Sequence, residues 1–173
     1  GAALNGATVA LGANTLTLNG SIESLVGSSA DDTIALSAAV SGHNYDLGTG
    51  NDQLTLADGA NTLTLAGIES VLGGTGTDTL TLSAAQTSGT IDLGGGSDKI
   101  TLFNANNTVS LGNVETIVGN AGDDLITLTT AISGGSVSLG AGADVLTLAN
   151  FNNSLSIDAA IESLVGGDAN DAV

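Results

Sequence analysis

The sequence predicts an all-β chain wound as a parallel β-solenoid of about seven coils. Two observations predict it. A unit of 46 residues recurs along nearly the whole chain, and inside each unit short runs alternate Leu or Ile with Thr. Ile-Glu-Ser begins at Ile22, Ile68 and Ile161, with Val-Glu-Thr at Val114, at steps of 46, 46 and 47 residues. The run Thr-Leu-Thr-Leu or a variant begins at Thr15, Thr62, Thr108 and Ser154, at steps of 47, 46 and 46. A fixed period of this length marks stacked supersecondary units, and apolar–polar alternation marks strands with one buried face.

The unit divides further. A Gly-rich turn ending in Asp recurs at Asp32, Asp52, Asp78, Asp98, Asp124, Asp144 and Asp171, at steps of 20, 26, 20, 26, 20 and 27. Strands such as DQLTL, DTLTL, DKITL, DLITL and DVLTL follow most of these turns. The steps predict alternating 20- and 26-residue coils, the short coil with two strands and the long coil with three. With coils stacked about 4.8 Å apart, the seven Asp residues form one column. A competing arrangement makes each 46-residue unit a single wide coil. It gives two Asp columns and a hollow section that the small Leu, Ile, Val and Ala set does not fill.

Composition narrows the function. The formal net charge is −17, with Lys99 the only Lys or Arg against eighteen acids. Such a chain repels nucleic acid and anionic membrane surfaces and attracts cations. The chain is also 42% hydrophobic, which favours a folded chain over a disordered acidic one. There is no Cys, so there is no disulfide and no thiolate metal site. No apolar run reaches the ~18 residues of a membrane helix. His43 is the only histidine, expected on a variable corner, and with no Cys it supports neither a zinc site nor a Cys–His pair. No G-x-S-x-G accompanies it, and every acid belongs to a repeating column, so no catalytic site is expected.

The turns carry the most specific signal. Gly73–Thr81 reads GGTGTDTLT, and this stretch resembles the nonapeptide G-G-x-G-x-D-x-U-x of the RTX (haemolysin-type) calcium-binding repeats at every defined position. LGTGNDQLT, LGGGSDKIT and LGAGADVLT put Leu in place of the first Gly, GNAGDDLIT lacks the second Gly, and the turns at Asp32 and Asp171 are looser. The resemblance implies a right-handed β-roll with calcium held between successive turns by Asp carboxylates and turn carbonyls. It implies a secreted or cell-surface bacterial protein that folds on meeting calcium outside the cell. The ligand set it implies is Gly48, Gly50 and Asp52; Gly73, Gly74, Gly76 and Asp78; Gly94, Gly96 and Asp98; Gly119, Gly122 and Asp124; Gly140, Gly142 and Asp144; and Asp32 and Asp171. The family places such turns in tandem on both sides of an ~18-residue coil, whereas here each coil has one, so calcium is expected along one edge. Calcium takes six to eight oxygens, and a column of carboxylates ~5 Å apart repels itself by roughly 1 kcal/mol per pair in water and more when buried. The alternative is that each Asp satisfies the amides of its own turn.

Other columns follow from the same alternation. Glu23, Glu69, Glu115 and Glu162 are expected on a solvated face. Leu25, Val71, Ile117 and Leu164 either form an outward apolar stripe or are returned to the core by a bulge. Thr55, Thr81, Thr101, Thr127 and Thr147 are expected as an outward ladder. Ice-binding solenoids present two such ranks, and the second rank here (Gln53, Thr79, Lys99, Leu125, Val145) is broken. Asn14, Asn61, Asn107 and Asn153 read as turn residues, and Phe103 and Phe151 as corner residues covering the core. Residues 1–173 read as one repeat domain of 46-residue units, partial at both ends, expected to be either a segment of a longer array or a unit that stacks end to end, with end-to-end or lateral self-association as its expected protein contact. The functional expectation is a calcium-stabilised structural segment outside the cell, such as a stalk, surface layer, adhesin or filament. A binding module for ice, glycan or mineral is the alternative.

Overall fold

The computed structural model describes residues 6–8 and 12–173. Residues 1–5 and 9–11 lie outside the described residues. Among the described residues, eighteen strands alternate between two parallel sheets of nine. The first sheet holds Gly6–Thr8, Ser24–Ser28, Ser41–Gly48, Thr62–Ala66, Thr79–Leu82, Lys99–Thr101, Thr116–Val118, Ser133–Ser138 and Ser154–Ile157. The second holds Thr15–Leu18, Thr33–Leu36, Gln53–Thr55, Ser70–Leu72, Thr90–Asp92, Thr108–Gly112, Leu125–Leu128, Val145–Thr147 and Ser163–Val165. The chain is therefore an all-β parallel solenoid of about eight turns, each turn contributing one strand to each sheet.

The coil length differs from the sequence expectation. Along the second sheet Thr33 pairs with Gln53, Gln53 with Ser70 and Ser70 with Thr90, so successive coils are 20, 17 and 20 residues long. Among the described residues no coil is 26 residues long. From Asp52 a full coil of 17 residues reaches Glu69 on the same edge, and nine more residues cross to Asp78 on the other. Each 46-residue unit thus spans five strands, or two and a half coils, and successive units sit on opposite sides of the solenoid.

The core lies between the sheets. Ile34, Leu54, Val71 and Ile91 stack down the second sheet, and Leu63, Leu80, Ile100 and Ile117 down the first, all buried. A side chain of this size fully buried stabilises by about 1.5–3 kcal/mol. Tyr45 is also fully buried; its hydroxyl donates to the Ile22 carbonyl (2.9 Å) and lies 3.1 Å from His43 Nδ1. Burial pushes the phenol pKa up to about 12. His43 sits in the strand Ser41–Gly48, not on a corner, and is buried against Tyr45.

The coils are close enough at their corners to exclude side chains. Gly94 has φ of +80°, and a Cβ there would collide with the Gly74 carbonyl oxygen of the coil before. Gly140, at φ +94°, meets the Asn120 carbonyl in the same way. Gly94→Ala is therefore expected to destabilise the fold by at least ~1–3 kcal/mol, read as a lower urea midpoint.

Phe103 and Phe151 do not cover the core: they are 37% and 59% exposed at their corners. The Thr ladder is split, with Thr55, Thr127 and Thr147 on the second sheet and Thr81 and Thr101 on the first.

Candidate metal centres

Two edges connect the sheets, and each carries polar side chains stacked in runs of successive coils, the runs separated by a coil whose corner residue is Val40, Gln86 or Ile132. On the edge leading into the second sheet the order is Asn14, Asp32, Asp52 and Glu69, then Asn107, Asp124, Asp144 and Glu162. The opposite edge carries Asn61, Asp78, Asp98 and Glu115, then Asn153 and Asp171. The expected single column of seven Asp is thus two columns. Asp32, Asp52, Asp124 and Asp144 stand on one edge, and Asp78, Asp98 and Asp171 on the other.

The rung is the same throughout. One side-chain oxygen reaches back and accepts the backbone N–H of the equivalent residue one coil earlier. Asp32 donates to Asp52 Oδ1 at 2.6 Å, Asp78 to Asp98 Oδ1 at 2.7 Å and Asp124 to Asp144 Oδ1 at 2.8 Å. The Glu residues close each series: Asp52, Asp98 and Asp144 donate their N–H to Oε2 of Glu69, Glu115 and Glu162 at 2.8–2.9 Å. These Glu side chains are rungs of the columns, not a free solvated stripe.

A bulge explains why the alternation misplaced this region. Glu69 N–H and Ser70 N–H both bond the Asp52 carbonyl, and Glu115 and Thr116 do the same to Asp98. The doubled donors shift the phase by one residue. Val71 and Ile117 consequently face the core at 1–2% exposure; Leu25 is also buried, while Leu164 is 41% exposed.

Asn and Asp differ in their second atom. Asn61 Nδ2 donates to the carbonyls of Ala57 and Gly59 in its own turn, each at 2.9 Å, and to Asp78 Oδ1. Asn107 Nδ2 donates likewise to Phe103, Ala105 and Asp124 Oδ1, and Asn153 Nδ2 to Ala149, Phe151 and Asp171 Oδ1. In the Asp turns that second atom is an acceptor. Oδ2 of Asp32, Asp52, Asp78, Asp98, Asp124 and Asp144 is buried with no hydrogen-bond partner, in side chains only 0–1% exposed. A buried ion without a partner costs several kcal/mol, and each of these six oxygens is an acceptor with no donor among the described residues.

The electrostatics agree. Burial raises the carboxyls of Asp52, Asp98 and Asp144 above the ordinary range, opposed by the N–H of the coil before and reinforced by Glu69, Glu115 and Glu162 among other neighbouring acids. Burial also raises Asp124, against the hydrogen bonds from Asn107.

The expected glycine ligands lie in these turns. Gly48 and Gly50 precede Asp52 by four and two residues, as do Gly74 and Gly76 before Asp78, Gly94 and Gly96 before Asp98, and Gly140 and Gly142 before Asp144. Asn120 and Gly122 hold the same places before Asp124, with Gly73 and Gly119 one residue further back than the first place of each turn. The turns stack in register, Thr75 bridging Gly95 and Ala121 bridging Ala141. Oxygen-only donors of this kind suit a hard cation such as calcium. Among the described residues no three Asp, Glu or His side chains converge to hold a metal by themselves, so backbone carbonyls must complete any ligand set. Asp171 Oδ1 joins the column, but its side chain is only half-buried.

Sequence reasoning missed the Asn and Glu rungs. Their signal was the step of 17 or 18 residues from each Asn to the next Asp, and from Asp52, Asp98 and Asp144 to the following Glu. No helix of the described residues is long and apolar enough to cross a membrane. Compared with protein families, curated proteins and solved structures, the chain matches none of them.

Proposed function

We propose that the chain is a structural, calcium-stabilised solenoid segment of an extracellular or cell-surface protein, a stalk, surface layer, adhesin or filament. One observation carries the reading. Six fully buried Asp oxygens have no donor, in a chain of net charge −17 with a single Lys. Calcium supplies the missing positive charge and, in the millimolar range found outside cells, suits weak extracellular sites. Binding to the folded state alone then stabilises that state by mass action. The likeness of the Gly73–Thr81 turn to RTX repeats supports the same assignment.

Circular dichroism across a calcium titration, with an EDTA control, tests it. The expected result is a β signal that strengthens with calcium and a melting midpoint that rises. Folding and melting unchanged between calcium and EDTA would refute the calcium role.

A further inference from the structure

We infer that each of the six Asp turns with a buried, unpartnered Oδ2 holds a cation at the place where an Asn turn holds its own side-chain amide, which brings Glu69, Glu115 and Glu162 into three of the six sites. The inference rests on the calcium reading above and adds where the ions sit and what completes their ligand sets.

The chain supplies its own template. In the Asn turns the Nδ2 group touches three oxygens: the carbonyls four and two residues earlier, and the side-chain oxygen of the next coil. The Asp turns stack on the Asn turns in register. A Cβ at Gly74 would lie 3.1 Å from the Ala57 carbonyl oxygen, and one at Gly76 would abut Gly59. Gly94 and Gly96 abut Gly74 and Gly76 in turn. Asp78 Oδ1 plays the part of Asn61 Oδ1, since each accepts an N–H from the coil before. Oδ2 is therefore the counterpart of Nδ2, with an acceptor where the template has a donor.

A cation restores the balance, because it attracts the oxygens that the amide hydrogens bond in the template. For the site of Asp78 the donors are Asp78 Oδ2, the carbonyls of Gly74 and Gly76, and the Asp98 carboxylate. For Asp98 they are Asp98 Oδ2, the carbonyls of Gly94 and Gly96, and the Glu115 carboxylate. Asp32 and Asp124 repeat the first set with Asp52 and Asp144 as the next rung, and Asp52 and Asp144 repeat the second with Glu69 and Glu162. Neighbouring sites share the middle carboxylate, so each pair of ions has three carboxylates, and carbonyls and water complete the six to eight oxygens calcium takes.

The test counts calcium by equilibrium dialysis on the whole chain and on two variants. The wild type is expected to bind six ions. Asp78→Asn converts a cation site into an amide site, touches no other proposed site because the coil before it is the Asn61 turn, and is expected to bind one fewer while keeping its β signal. Asn61→Asp does the reverse and is expected to bind one more, with a melting midpoint that falls further in EDTA than that of the wild type. Calcium bound in equal number by all three proteins would overturn the placement and leave the calcium reading standing. No calcium bound by any of them would overturn both.

Discussion

Replacing Asp52, Asp98 and Asp144 together by Asn is expected to yield a protein that melts higher than the wild type in EDTA and responds less to calcium. The wild-type chain contains the reason. Asn61, Asn107 and Asn153 occupy the same rung and are buried with all their polar atoms engaged. Substituted Asn keeps an oxygen to accept the N–H of Asp32, Asp78 or Asp124, and gains an NH₂ that faces the turn carbonyls. Each change removes an unsatisfied buried acceptor, worth about 1–3 kcal/mol. Without calcium all three changes stabilise. With calcium the wild type recovers its own counter-charges and the advantage shrinks or reverses. Thermal melts of the two proteins in EDTA and in calcium read both effects, and a triple variant that melts lower than the wild type in EDTA would contradict the account.

In EDTA the wild type is expected to become more stable on acidification. Asp52, Asp98, Asp124 and Asp144 all have carboxyls raised by burial above the ordinary value of 3.8. Between that value and the raised ones the native state holds more protons than the unfolded chain, so stability falls as pH rises. The contribution is fully present below the unfolded value and is lost as pH rises through the folded ones. A proton on Oδ2 also turns the acceptor into a donor, as the Asn amide is. Melting midpoints in EDTA should therefore rise as pH falls from neutral towards the ordinary carboxylate range, and the trend should reverse in excess calcium, where protons displace the ion. Midpoints in EDTA that fall steadily on acidification would contradict the assignment.

Much of the fold was legible before the structure. Alternating Leu and Thr located the strands, the 46-residue period identified a solenoid, and the absence of long apolar runs and of Cys narrowed the class. The winding was not legible, because Asp was followed as a single marker. From Asp52 to Asp78 the chain makes a coil and a half, and the rung closing the full coil is Glu69, a different residue type on a bulge. Following Asp alone hid that rung and merged two edges into one. The same choice hid the Asn residues, since Asn61 and Asp78 share a backbone role although only one is charged. The six orphan oxygens depend on burial and hydrogen bonding between coils, which no local motif encodes.

The Asp turns alternate between two edges in coils of 17–20 residues. Nitroxide pairs on single-cysteine positions test it directly, with labels at Thr81 and Thr101 and, separately, at Thr55 and Thr81. Thr81 and Thr101 are register partners on adjacent strands of one sheet, so their spectra should be strongly broadened by dipolar contact. Thr55 and Thr81 face outward from opposite sheets. Packed sheets lie ~10 Å apart and outward labels stand further off, so this pair should show little or no broadening. Equal broadening of both pairs would place all the Asp turns on one edge and contradict the account.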